Sequence, residues 1–137
     1  MHRNQGGNID SWIIKKLLRK NWAYRTDAYG KPGSINMQGT FRSHLIVLVD
    51  ELTYSDGETF AAGIKKLGIV PVSGKTTAGA GVWLGDGTRL SDNGRARAAE
   101  HAQLLISSAQ WIVERVCVNP NVEVDNLPHA SFTGQDL

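Results

Sequence analysis

Ser55 lies in the stretch Thr53-Tyr54-Ser55-Asp56-Gly57-Glu58, where an apolar run gives way to a helix-forming pattern. A serine at a helix start stands beside backbone N–H groups that lack intrahelical acceptors and beside the positive end of the helix dipole. Such donors can stabilise the oxyanion of a tetrahedral intermediate in acyl transfer, and the N–H of Asp56, directly after the serine, is the natural one. The same position suits a plain N-cap, for which serine is also favoured. Local sequence leaves both readings open, and the stretch is not the Gly-x-Ser-x-Gly elbow. Cys117, the only cysteine, sits between Val116 and Val118. It reads as a buried thiol rather than a nucleophile, and it excludes an internal disulfide.

The elements that must position Ser55 follow from periodicity. Leu45-Ile46-Val47-Leu48-Val49 is a continuous apolar run of β-formers, the pattern of a strand buried on both faces in a parallel sheet. A helix follows from Ser55 or Asp56, with Phe60, Ile64 and Leu67 on one face. Asp56 and Glu58 in its first turn and Lys65 and Lys66 in its last complement the dipole, and Gly68 stops it. Ile69-Val70-Pro71-Val72 gives a second strand. A crossover of this length makes the two strands parallel neighbours.

Upstream, residues 8–22 carry Ile9, Trp12, Ile13, Leu17 and Leu18 at helical spacing, with Asn8 or Asp10 as cap. Residues 23–42 look like a long irregular loop, of the kind that is often functional. Residues 76–94 are glycine-rich, with short strand candidates at Val82-Trp83-Leu84 and Thr88-Arg89-Leu90. Alanine enrichment over residues 95–110 suggests a helix. Trp111-Ile112-Val113 and Val116-Cys117-Val118 look extended, and the tail from Asn119 is polar.

The 137 residues fit one domain, and 41% apolar with 20% charged residues is ordinary for a globular protein. A net charge of +2, with both signs interspersed, argues against nucleic acid as the main partner. The basic run Lys15-Lys16-Leu17-Leu18-Arg19-Lys20 is split by leucines and fits the solvated side of an amphipathic helix. No apolar run approaches the ~20 residues of a membrane span, and the first residues, from Met1 to Gly7, hold no signal-peptide core. No membrane partner, cofactor or metal is expected. The cysteine count suits a reducing cytoplasm, with the periplasm as the alternative.

Four segments, in order, carry a family resemblance. Arg3-Asn4-Gln5-Gly6-Gly7-Asn8 resembles the arginine, asparagine and glycine turn at the end of a strand in the tricorn and carboxyl-terminal-processing serine peptidases. Leu48 through Glu58 is similar to their nucleophile segment. Lys66-Leu67-Gly68 with Val72-Ser73-Gly74-Lys75-Thr76-Thr77-Ala78-Gly79 resembles the segment that follows it. Trp111-Ile112-Val113-Glu114 with Val118-Asn119-Pro120-Asn121-Val122-Glu123-Val124 resembles the close of their catalytic domain.

The resemblance implies roles. Ser55 would be the nucleophile, and the N–H groups of Gly7 and Asp56 would form the oxyanion hole, with Gly6 shaping the turn. Glu114 would orient the catalytic histidine through an intervening polar side chain. Asp27, in the loop, is a weaker candidate for an acid that recognises basic residues beside the cleaved bond. The fold implied is the α/β spiral of Clp-type proteases and crotonases, incomplete because residues 1–137 would form only part of the catalytic domain. In the tricorn type the histidine lies upstream, before a PDZ-like module, and His2, His44, His101 and His129 do not match its position. Activity from this chain alone is therefore not expected. Asn119 and Cys117 depart from the family's closing motif, and Ala78 stands where tryptophan is common. Implied partners are a peptide or unfolded protein substrate, and a homo-oligomer or a complementary N-terminal chain that covers an exposed sheet edge. Two alternatives remain: a non-catalytic, oligomeric peptide-binding descendant, and a crotonase-like acyl-CoA enzyme, in which a serine at the helix start has no required role.

Overall fold

The computed structural model describes residues 3–36, 39–41, 43–85, 87, 89–125 and 127–134. In chain order the elements are α1 (Asp10–Leu17), β1 (Tyr24–Thr26), β2 (Pro32–Ile35), β3 (Val47–Val49), α2 (Asp56–Lys66), β4 (Val72–Gly74), β5 (Val82–Leu84), β6 (Ala99–Ala102), β7 (Val122–Glu123) and α3 (Pro128–Phe132). The result is a mixed α/β fold built on a parallel sheet of order β3-β4-β7.

In that sheet Val47 pairs with Val72 and Val49 with Gly74, and Ser73 pairs with Val122. The strand–helix–strand unit therefore forms with the parallel pairing its spacing predicts. One face of the sheet is the core. Val47, Val49 and Val72 pack with Phe60, Ala61 and Ile64 of α2, and with Val113 and Val118. Helix α1 adds Ile13, Ile14 and Leu17 to the same cluster. It lies very close to α2: a Cβ on Gly63 would stand 2.7 Å from Ile14 Cδ1.

The expectation that the first strand is buried on both faces is corrected. Val47 and Val49 are buried, but Leu48, on the opposite face by the period of two, is 50% exposed. Val122 on β7 is 52% exposed. Helices cover only one side of this sheet, and among the described residues β3 pairs on one edge only.

Three more expectations change. The helix over residues 8–22 is shorter, because the chain turns after Leu18. The loop over 23–42 contains an antiparallel pair, Tyr24 with Ile35 and Thr26 with Pro32. Residues 95–110 form no helix; β6 pairs there with β5, Trp83 opposite His101. Thr88 lies outside the described residues, and Arg89 forms an isolated bridge to Arg95. Trp111 and Val113 likewise make only isolated bridges, to Leu104 and Cys117. No helix among the described residues is long and apolar enough to cross a membrane.

Candidate active site

The segment before α1 is fastened to the loop between β3 and α2. Arg3 Nε meets Asp50 Oδ2 at 3.0 Å, and the Arg3 N–H donates to Thr53 Oγ1 at 3.2 Å. The Tyr54 N–H donates to the Asn4 carbonyl at 3.1 Å. Asn4 Oδ1 in turn accepts the Gly6 N–H at 3.0 Å, which bends the chain into a turn. Gly6 and Gly7 hold φ of +124° and +137°, a region that side-chain-bearing residues rarely occupy. The turn is thereby brought against Ser55: a Cβ on Gly6 would lie 3.6 Å from both Cβ and Oγ of Ser55.

Ser55 is the residue immediately before α2, with φ 55° and ψ −124°. For a non-glycine residue this is a sparsely populated conformation that costs on the order of 1–3 kcal/mol and persists only where its surroundings enforce it. The enforcing contacts are visible. Its N–H donates to the Ala80 carbonyl at 3.1 Å and to Glu58 Oε2 at 3.2 Å. Its carbonyl accepts the N–H groups of Glu58 at 3.0 Å and Thr59 at 3.1 Å.

Glu58 is the anchor of this arrangement. Its side chain is fully buried, and its carboxylate accepts hydrogen bonds from the Thr77 hydroxyl, the Gly79 N–H at 2.6 Å, the Ala80 N–H at 2.8 Å and the Ser55 N–H. One carboxylate thus ties the helix start to the loop after β4. Among the described residues the N–H groups of Gly7 and Asp56 have no acceptor. These two donors belong to the glycine turn and to the helix start, the two segments that meet at Ser55.

Asp56 does a second job with its side chain, which is also fully buried. Oδ2 accepts the Ile9 N–H at 3.1 Å and Oδ1 the Asp10 N–H at 3.4 Å. The acceptor for the first amides of α1 therefore comes from 46 residues downstream in sequence, and not from Asn8 or Asp10, the caps expected from local sequence. The fixed relation of the glycine turn to Ser55 depends on it. Asp56→Ala should lower stability by about 1–2 kcal/mol, the ordinary cost of a lost cap. Urea unfolding followed by circular dichroism measures this, and a change below about 0.3 kcal/mol would contradict the anchoring role.

A cavity of about 420 Å³ opens at Ser55, bordered by Gly6, Gly7, Tyr54, Trp83, Leu84 and Arg97. Glu114 lies elsewhere. Its Oε2 accepts the Gly81 N–H at 3.0 Å, and it lines a neighbouring cavity of about 480 Å³ together with His101. Val82 borders both cavities. Asp27 closes the turn between β1 and β2, where Oδ1 accepts the N–H groups of Tyr29 at 2.9 Å and Lys31 at 3.0 Å. It is not among the residues that border the Ser55 cavity. His44, His101 and His129 are exposed, and none of them hydrogen-bonds Ser55; His2 lies outside the described residues.

Sequence reasoning treated Glu58 only as a first-turn acid. The Ser-x-x-Glu spacing from Ser55 to Glu58 is the capping-box signature and would have marked it. No local signal pointed to Arg97.

Ser55 thus stands in a strained turn beside a cavity, and the glycine turn and helix start that meet there each carry a main-chain amide with no acceptor among the described residues. The chain belongs to peptidase family S41, which it matches over residues 1–124. It is 32% identical to the tricorn protease of Thermoplasma acidophilum over 135 residues, 97% of this chain and 12% of that protein. It is 29% identical to tricorn protease homolog 1 of Streptomyces coelicolor over 136 residues, 99% of this chain and 13% of that one. The crystal structure of the tricorn protease superposes with a TM-score of 0.87 at 30% identity, covering 99% of this chain and 13% of that one. The photosystem II D1 C-terminal processing protease shares the fold, with a TM-score of 0.56 at 20% identity over 90% of this chain and 33% of that one. The chain therefore spans only about an eighth of the curated tricorn relatives.

Proposed function

We propose that this chain is the nucleophile-bearing part of a serine peptidase catalytic domain. The observation that carries this reading is the backbone of Ser55, locked at φ 55° and ψ −124° with the Gly7 and Asp56 amides unpaired on the segments that flank it. In the reaction Ser55 Oγ attacks the carbonyl carbon of a peptide bond, and its proton passes to a histidine. The tetrahedral oxyanion is held by the N–H groups of Gly7 and Asp56. The histidine then gives the proton to the leaving amine, an acyl-enzyme forms on Ser55, and water releases it.

The histidine is assigned to a segment preceding these residues or to another chain, where the family resemblance puts it; no described histidine bonds Ser55, and His2 lies outside the described residues. Glu114 acts at one remove, orienting that histidine, and its cavity adjoins the one at Ser55. The bare face of the sheet and the open edge of β3 are where such a segment packs, completing the α/β spiral shared by Clp-type proteases and crotonases. The substrate is a peptide or an unfolded protein. Asp27 is retained as a weak candidate for reading basic residues in it.

Two measurements test the proposal. A fluorophosphonate probe should label the chain little or not at all when it is alone, and clearly once the histidine-bearing segment is supplied. Absence of labelling in both cases would leave the non-catalytic reading, in which the strained turn serves only to hold the backbone. Size-exclusion chromatography with light scattering should show self-association, or a stable complex with the supplied segment, at micromolar concentration. A monomer under both conditions would contradict the packing of a partner on the exposed sheet face.

A further inference from the structure

The cavity at Ser55 contains one charged side chain among its described lining residues, and that charge is positive. Arg97 reaches it from the segment just before β6, which the Gly85 N–H fixes to the end of β5 by donating to the Ala98 carbonyl at 3.2 Å. No aspartate or glutamate borders this cavity among the described residues, and none of their ion pairs includes Arg97. Val82, Trp83 and Leu84 form an apolar wall beside it. The unpaired amides of the site, Gly7 in the glycine turn and Asp56 at the start of α2, also favour negative charge.

An unpaired guanidinium is a fork of donors shaped for a carboxylate, which it binds bidentately. We infer that Arg97 is a specificity residue that selects peptides presenting a carboxylate beside the bond held at Ser55. This deepens the peptidase reading and rests on the cavity being where substrate lies. The carboxylate has two possible sources, an acidic side chain or a free C-terminus, and the chemistry on the protein's side is the same for both.

The test is binding, so that it does not depend on turnover. Four fluorescein-labelled tetrapeptides carry either Glu or Gln at one position and end in either a free carboxylate or an amide. Fluorescence anisotropy on the 137-residue chain, and on its Ser55→Ala variant, measures their affinities. Replacing the recognised carboxylate should weaken binding about tenfold, the scale of one charge-assisted pair at a partly open site. Loss on the Glu-to-Gln change assigns the side chain, and loss on amidation assigns the terminus. Arg97→Ala should remove the difference, Arg97→Glu should reverse it, and Arg97→Lys should retain part of it. Raising the salt from 50 mM to 500 mM should shrink it, because exposed charges are screened.

Equal binding of all four peptides, binding of none, or a carboxylate preference that survives Arg97→Glu would overturn the assignment. Probe labelling at Ser55 of the wild-type chain, measured with the histidine-bearing segment present and with a small uncharged fluorophosphonate, reads the nucleophile separately. Failure of the nucleophile reading therefore shows in labelling, and failure of the Arg97 assignment shows in anisotropy.

Discussion

Ser55→Ala should abolish peptide hydrolysis by the reconstituted catalytic domain while leaving the fold intact. Removal of the nucleophile from a serine hydrolase lowers kcat on the order of a millionfold, with substrate binding largely retained. Stability separates this effect from misfolding. Alanine at φ 55° carries the same backbone strain as serine, so the urea midpoint should stay within about 1 kcal/mol of the wild type. Ser55→Gly goes further. Glycine accepts this conformation without strain, and the variant should be more stable than Ser55→Ala by about 1 kcal/mol while being equally inactive. A variant that gains stability and loses all activity is the mark of strain kept for function. Activity in either variant, or a large loss of stability in Ser55→Gly, would count against Ser55 as the reacting group.

The second large effect belongs to Glu58, which touches no substrate. Glu58→Ala leaves three donors without their acceptor, the Thr77 hydroxyl and the N–H groups of Gly79 and Ala80, while the Ser55 N–H keeps only the Ala80 carbonyl. Each unsatisfied donor costs about 1–3 kcal/mol, reduced where water enters the space left behind. A total on the order of 3–5 kcal/mol is expected, a large part of the stability of a domain this size. Glu58→Gln is the sharper probe. It keeps the volume and one acceptor, but turns an NH₂ group toward donors that need an oxygen. It should fold, lose roughly 1–3 kcal/mol, and lower kcat more than it raises KM, because the Ser55 backbone is no longer held from below. Urea unfolding and steady-state kinetics measure both. A Glu58→Ala variant as stable as the wild type would show that the carboxylate does not organise the site.

The contrast between these residues shows what the sequence made legible. The start of α2 and its parallel strands were readable because apolar runs and charge placement are local signals, and Ser55 stands where they meet. The glycine turn was readable only through its resemblance to a family motif, since nothing local says that Gly6 approaches a residue 49 positions away. Glu58 looked like a dipole-complementing acid because its four partners lie at the helix start and in a loop about 20 residues on. Asp56 hid its side-chain role for the same reason, its partners being Ile9 and Asp10.

The errors have the opposite cause: local propensity was overruled by pairing. Alanine-rich residues 95–110 suggested a helix, yet β6 forms because β5 offers an edge. The apolar run through Leu48 suggested burial on both faces, yet helices cover only one. An apolar face left open is a surface that fits a further packing element, which is why the peptidase reading and the partner reading stand or fall close together.

The central claim is that the hydroxyl at position 55 becomes acylated. Its most direct measurement is mass-spectrometric mapping of the fluorophosphonate adduct formed when the chain and the histidine-bearing segment are combined. The account predicts one adduct, on the peptide containing Ser55, absent from Ser55→Ala. An adduct on a different serine, or none although the two parts form a stable complex, would contradict it.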